Sequence, residues 1–143
     1  MATRAFKLLP PDVYQPQCPS RGVLDHVTTR WAVLVLSVLR GEVHRFSALR
    51  RKVGGVSEKM LAQTLTVLEE DGFVHRTAYA EVPPRVEYRL TPLGEEIAER
   101  VEVLVQWIES SLPRVLKARA AHQAKRSLAG QRRPRPAVVS SEV

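Results

Sequence analysis

A single cysteine, Cys18, stands in a chain of 143 residues. That excludes an internal disulfide framework and fits a reducing compartment. Long apolar runs are missing as well. The longest, Trp31 to Leu36 continued by Val38 and Leu39, falls short of the ~20 residues a membrane span needs and has the length of a core helix. Met1 to Leu9 lacks the apolar h-region of a secretory signal. No membrane partner is expected, and the expected location is cytoplasmic. Enzyme signatures are equally scarce. His26, His44, His75 and His122 lie in separate segments without metal-ligand spacing. There is no glycine-rich phosphate loop, and no nucleophile motif surrounds Cys18 or any serine. The expectation is a protein that is not an enzyme and holds neither metal nor cofactor.

What the chain does have is the composition of a soluble globular domain, 44% hydrophobic and 26% charged, with length enough for one real core. The net charge of +7 is unevenly placed. Residues 117 to 143 hold seven Lys and Arg and one acid, leaving 15 basic and 14 acidic residues of the totals of 22 and 15. The part before residue 117 is therefore nearly neutral, and any nucleic-acid argument has to rest on where its charges sit.

The informative stretch is Ser57 to Asp71. Leu61, Leu65 and Leu68 repeat at the spacing of one buried helical face. Lys59, Ala62, Gln63 and Thr66 fall on other faces. Ser57 is a good N-cap, and Gly72 follows as a terminator. Upstream, Arg45 to Val53 reads as a shorter helix, joined to Ser57 through Gly54, Gly55 and Val56. Two helices with a glycine-containing turn suggest a helix-turn-helix, whose second helix enters the major groove. An ordinary αα-hairpin has the same outline.

The rest of the chain extends the pattern. Met1 to Gln17, with Pro10, Pro11 and Pro16, reads as an extended arm. Ser20 to Val27 forms a short helix with Val23, Leu24 and Val27 on one side, and Arg30 to Arg40 a helix apolar nearly all round, hence central. Glu42 to Arg45 suits a short edge strand. After Gly72 the period changes to two: Phe73 to Tyr79 and Arg85 to Leu90 alternate, with Pro83 and Pro84 in the connection. Thr91 and Pro92 start a long helix as N-cap and first residue. Its stripe of Leu93, Ile97, Val101, Leu104, Ile108 and Leu112, widened by Val105 and Trp107, exceeds what a small core covers. A second subunit is the natural cover; packing back on the second helix is the alternative. From Ala118 the sequence loses periodicity, and it is expected to be disordered after about residue 125.

Several short motifs now stand together: Cys18-Pro19, Trp31 opening the central helix, Arg45-Phe46-Ser47-x-Leu49-Arg50, and Val56-Ser57-x-Lys59-Met60-Leu61. They continue with Leu65-x-x-Leu68-Glu69-x-Asp71-Gly72, Val82-Pro83-Pro84-x-Val86-x-Tyr88, and Leu90-Thr91-x-x-Gly94. In combination they resemble the HxlR family of winged helix-turn-helix, MarR-like transcription regulators, over roughly Cys18 to Val115. The resemblance implies a bacterial, cytoplasmic, dimeric DNA-binding regulator, usually a repressor, with some members sensing oxidants or electrophiles through the cysteine. Two departures stand out. Thr29-Arg30 replaces the usual Gly-Lys before the tryptophan, and no basic residue occupies position 64 or 66, which suggests a different operator.

The expected fold is α+β: a mostly helical winged helix-turn-helix with a small antiparallel β-hairpin wing and a long C-terminal dimerisation helix. The expected divisions are an arm (1–17), the DNA-binding domain (18–116) and a basic tail (117–143). The expected partners are double-stranded DNA and a second copy of the chain. Ser57, Lys59, Ala62, Gln63 and Thr66 are the candidates on the recognition helix, and Arg45, Arg50, Arg51 and Lys52 the candidates for phosphates. Arg85 and Arg89 are the wing candidates. Leu104, Trp107, Ile108 and Leu112 are assigned to the dimer. Cys18, just ahead of a helix start that favours a thiolate, is the candidate redox sensor toward a small electrophile or thiol. The competing readings are a solvated charged face, an inert thiol, and a winged-helix protein-interaction module that does not bind DNA.

Overall fold

The apolar and capping patterns become eight elements in the computed structural model, which describes residues 10–132 and 136–137. In chain order they are α1 (Pro19–Val27), α2 (Arg30–Leu39), β1 (His44–Arg45), α3 (Phe46–Lys52), α4 (Glu58–Glu70), β2 (Val74–Tyr79), β3 (Arg85–Leu90) and α5 (Pro92–Gln131). The strands form an antiparallel sheet in the order β1-β3-β2. Its register sets His44 opposite Tyr88 and Val74 opposite Leu90. This is the expected winged helix-turn-helix, with the edge strand after α2 paired to the hairpin. The first nine residues of the expected arm, and most of the tail beyond Arg132, lie outside the described residues.

Each helix boundary has a local cause. Thr29 caps α2 by accepting from the Ala32 N–H at 3.2 Å, and Ser57 caps α4 by accepting from the Met60 N–H at 3.1 Å. The end of α4 is a Schellman motif: the Gly72 N–H donates to the Glu69 carbonyl and the Phe73 N–H to the Leu68 carbonyl. Gly72 takes the left-handed conformation this requires, at φ 80°. The core gathers Ala32, Val35, Leu36 and Leu39 of α2, Leu49 of α3, Leu61, Leu65 and Leu68 of α4, Tyr88 and Leu90 of β3, and Ala98 and Val101 of α5.

The Leu90-Thr91-x-x-Gly94 motif acquires a physical reason here. The Thr91 hydroxyl accepts from the Gly94 N–H at 3.0 Å, capping α5, and donates to the Gly72 carbonyl at 2.5 Å. The Thr91 N–H donates to the Phe73 carbonyl at 3.0 Å. A Cβ at position 94 would overlap that carbonyl oxygen, so the first turn of α5 reaches the end of α4 only if residue 94 is glycine.

The contact pattern divides the chain into Met1–Val105, the winged helix, and Gln106–Val143, which holds the remaining turns of α5. The expectation of a tail without structure after about residue 125 is corrected, since α5 is helical as far as Gln131. Ala118, Ala120, Ala121, Ala124 and Ala129, with Leu, Lys, Arg and Gln among them, are the strongest helix formers. A helix already nucleated propagates through such residues at little cost. The missing apolar period argued against burial, and it carried no information against a solvated helix.

A Gly94→Ala substitution is expected to lower stability by about 1–3 kcal/mol, because the obstructing atom is backbone and cannot step aside. Thermal unfolding checks this; an unchanged melting temperature would contradict the packing described for the α4–α5 junction.

Candidate nucleic-acid interface

The turn between α3 and α4 is fixed from both sides. Val53 and Val56 are buried beneath it, and Gly55 adopts φ 86° at its crest. Arg50 spans it from outside: its Nε–H donates to the Val56 carbonyl at 3.4 Å, and its guanidinium pairs with Glu58 at 3.2 Å. Arg50 therefore braces the turn, with only part of its donor set left for a phosphate. Arg51 and Lys52 on the same helix end are exposed, as is Arg45 at the start of α3. No carboxylate among the described residues pairs with these three. Arg50, Arg51, Gly54, Gly55, Val56 and Ser57 line a shallow concavity at the start of α4, where unpaired helix N–H groups and the dipole favour an anion.

Helix α4 is two-sided. Leu61, Leu65 and Leu68 are each at most 1% exposed. Lys59, Ala62, Gln63 and Thr66, spaced i, i+3, i+4, i+7, share the exposed side. Thr64 is buried and its hydroxyl donates to the Met60 carbonyl, so of the two threonines only Thr66 stands on the outer face. Thr66 spends its own proton on the Ala62 carbonyl at 2.9 Å and leaves a methyl and an acceptor outward. Glu69 and Glu70 close the exposed side with negative charge. The negative charge is thereby kept to the C-terminal end of α4, away from the N-terminal half that recognition helices use on bases.

On the wing, the two arginines have different situations. Arg85 stacks over the Tyr79 ring at 4.1 Å and lies 3.3 Å from Glu81 and 3.5 Å from Glu87. Its Nε–H is buried and makes no hydrogen bond, so the approach to Glu87 is electrostatic only. Two carboxylates neutralise this guanidinium, which braces the hairpin. Arg89 is exposed, opposite His75 in the ladder, and pairs with no carboxylate among the described residues. Arg76 and His75 are exposed cationic or titratable positions on β2 that sequence reasoning left out; the alternation of Val74 to Tyr79 was the signal available for them.

Cys18 is the N-cap residue of α1. Its Sγ accepts from the Ser20 hydroxyl at 3.0 Å and from the Asp12 N–H at 3.4 Å. Arg21 holds the preceding loop in place by donating to the Val13 carbonyl at 2.7 Å and the Tyr14 carbonyl at 3.3 Å. The Ser20 hydrogen bond first, and the backbone donors of Asp12 and Ser20 after it, hold the thiol below its ordinary pKa; slight burial and the Asp12 carboxylate oppose them. Asp71, the C-cap residue of α4, meets His26 Nδ1 at 2.6 Å and ties the last turn of α1 to the end of α4.

The residues assigned to a dimer are only partly covered by the described residues. Leu104, Trp107, Ile108 and Leu112 are between 46% and 55% exposed, and Val23 and Leu24 of α1 are 40% exposed. Among the described residues no group of three or more His, Cys, Asp or Glu is placed to hold a metal. No single helix there is long and apolar enough to cross a membrane.

A turn locked by valines, a helix with one polar outer face, and a hairpin after it are matched as a set by known proteins. The model of the HxlR-like helix-turn-helix family covers residues 26–115. The chain belongs to the HxlR family. The HTH-type transcriptional regulator YtfH of Escherichia coli (strain K12) is 62% identical over 108 residues, 76% of this chain and 86% of its own. The structure of YtfH from Salmonella typhimurium matches with a TM-score of 0.74 at 59% identity, covering 77% of this chain and 98% of that one. The redox regulator HypR in its reduced form matches with a TM-score of 0.62 at 34% identity, covering 70% and 98%. As an HxlR-type protein the chain is a DNA-binding transcription regulator and not an enzyme.

Two outcomes follow from the geometry. Arg89→Ala should lower the salt dependence of DNA binding by about one unit of slope, whereas Arg85→Ala should leave the slope unchanged. Binding isotherms at several salt concentrations check this, and equal slope changes would erase the distinction. Ser20→Ala should move the ionisation of Cys18 to higher pH, read from ultraviolet thiolate absorbance; an unmoved midpoint would remove Ser20 as the principal cause.

Proposed function

We propose that the chain is a cytoplasmic homodimeric repressor that reads an inverted-repeat operator with α4 and responds to oxidants or electrophiles through Cys18. The observation that carries the reading is the polar outer face of α4, backed by a leucine face that fixes its direction. Lys59 and Gln63 supply long hydrogen-bonding side chains, and Ala62 and the Thr66 methyl supply apolar contact suited to thymine. Ser57 and the N–H groups it leaves unpaired sit where a phosphate is favoured, with Arg51, Lys52 and Arg45 as neutralising charges and Arg50 as their brace. Arg89 extends the phosphate contacts along the wing, with Arg85 behind it.

A two-fold dimer presents two copies of α4 about one turn of DNA apart, ~34 Å, and so favours an inverted repeat. The open apolar surface of Leu104, Trp107, Ile108 and Leu112 supports that dimer. The hydrogen bonds that lower the Cys18 pKa support a reactive thiol, and so does the likeness to HypR, which is a redox regulator. With one cysteine per chain, the reversible products are a Cys18–Cys18 bond between subunits, a mixed disulfide with a small thiol, or an electrophile adduct. Each alters the loop and α1, and through the His26–Asp71 pair the end of α4.

Gln63→Ala should lose discrimination at one base position, by about 1–3 kcal/mol, while Arg51→Ala weakens all sequences alike. Affinities for single-base operator variants decide this, and a uniform loss for Gln63→Ala would take it out of base readout. Diamide should change operator affinity for the wild type and not for Cys18→Ser. Identical responses would mean that Cys18 is not the sensor.

A further inference from the structure

The last turns of α5 carry charge of one sign. Arg114, Lys117, Arg119, Lys125, Arg126 and Arg132 stand between residues 111 and 132 without an Asp or Glu among them. The stretch is helical to Gln131, and the Arg132 N–H continues the last turn by donating to the Leu128 carbonyl at 3.2 Å. All six cations are exposed, and none forms an ion pair among the described residues. All but Arg114 lie beyond residue 115, where the family match ends.

Their spacing gives the helix a charged side. At ~100° per residue, Arg114, Lys117, Lys125 and Arg132 fall near one line along the helix, and Arg119 and Arg126 on a second. The side away from both lines, with Ala120, Gln123, Ala124, Ser127 and Gln131, has no charge. A helix whose charges serve only to keep it in solution mixes both signs and pairs them three or four residues apart. The helix dipole favours cations in the last turn alone. Here cations repel one another over five turns, until an external polyanion neutralises them.

The composition selects among polyanions. No Phe, Tyr or Trp lies between residues 111 and 132, so there is no platform on which single-stranded bases could stack. Past Leu116 the only large apolar side chain is Leu128, too little for a helix lying in a membrane surface. What is left is a row of exposed cations ~27 Å long at 1.5 Å per residue, suited to regularly spaced phosphates. The polyanion this regulator already meets is duplex DNA.

We infer that residues 114–132 form a second DNA-contacting surface, one that holds duplex phosphates without reading sequence. It rests on DNA binding by the winged helix and adds a contact outside it. The winged helix discriminates between sequences, and the basic helix raises affinity for all of them alike.

The test measures binding of the full-length chain over a range of salt, on an operator selected from a random duplex pool and on an unrelated duplex of equal length. Lys117→Gln, Arg119→Gln, Lys125→Gln and Arg126→Gln together keep good helix formers and should lower the slope of log affinity against log salt by about three to four on both duplexes. The preference for operator over unrelated duplex should stay as in the wild type. A charge-keeping set, Lys117→Arg, Arg119→Lys, Lys125→Arg and Arg126→Lys, should bind as the wild type does, which separates charge from folding. Unchanged slopes for the glutamine set would overturn the inference and leave the cations to solvent or to an acidic protein, with DNA binding by the winged helix intact. A loss confined to the operator would also overturn it. A wild type that binds neither duplex would overturn the reading beneath it as well.

Discussion

The burial of three leucines on α4 governs what the rest of the domain does. Leu61, Leu65 and Leu68 are sealed against the core, each worth roughly 1.5–3 kcal/mol relative to exposure. On a helix, burying one side dictates the other. Lys59, Ala62, Gln63 and Thr66 are turned outward by the same rotation that hides the leucines. The two ends of α4 fix its remaining freedoms. Ser57 and the Arg50 brace hold the start, and the Schellman motif with the Thr91 and Gly94 junction holds the finish. Under the proposed reading α4 has to be held rigidly, and its rigidity and direction come from one set of contacts.

Much of this was legible in the sequence because it depends on local rules. The leucine period, the Ser57 and Thr91 caps, Gly72 as terminator and the alternating strands are all short-range signals. The reason for Gly94 was not legible, because the carbonyl that excludes a side chain belongs to Phe73, across a chain reversal. The difference between Arg85 and Arg89 was hidden for the same kind of reason. Both alternate onto one face of β3, yet only the fold brings Tyr79, Glu81 and Glu87 around the first. Arg50 likewise looked equivalent to Arg51 until its bonds to Val56 and Glu58 separated them. The helical stretch to Gln131 escaped notice because periodicity reports burial, and that stretch is solvated.

Charge is unevenly placed within Met1–Val105. Around the start of α4 stand Arg45, Arg51, Lys52 and Lys59, and at its end Glu69 and Glu70. Along α2 the acids of α5 dominate, with Glu95 bonded to the Gly41 N–H and Glu102 to the Ser37 hydroxyl. The nearly neutral balance before residue 117 therefore conceals two fields of opposite sign, which whole-chain charge cannot reveal.

The central claim is that α4 reads base edges in the major groove. Replacing individual purines of the bound site by their 7-deaza analogues removes a major-groove acceptor and leaves the minor groove intact. The account predicts two symmetric clusters of interference, about one helical turn apart on one side of the duplex. Uniform tolerance of every 7-deaza substitution, with binding lost only on minor-groove changes, would contradict it.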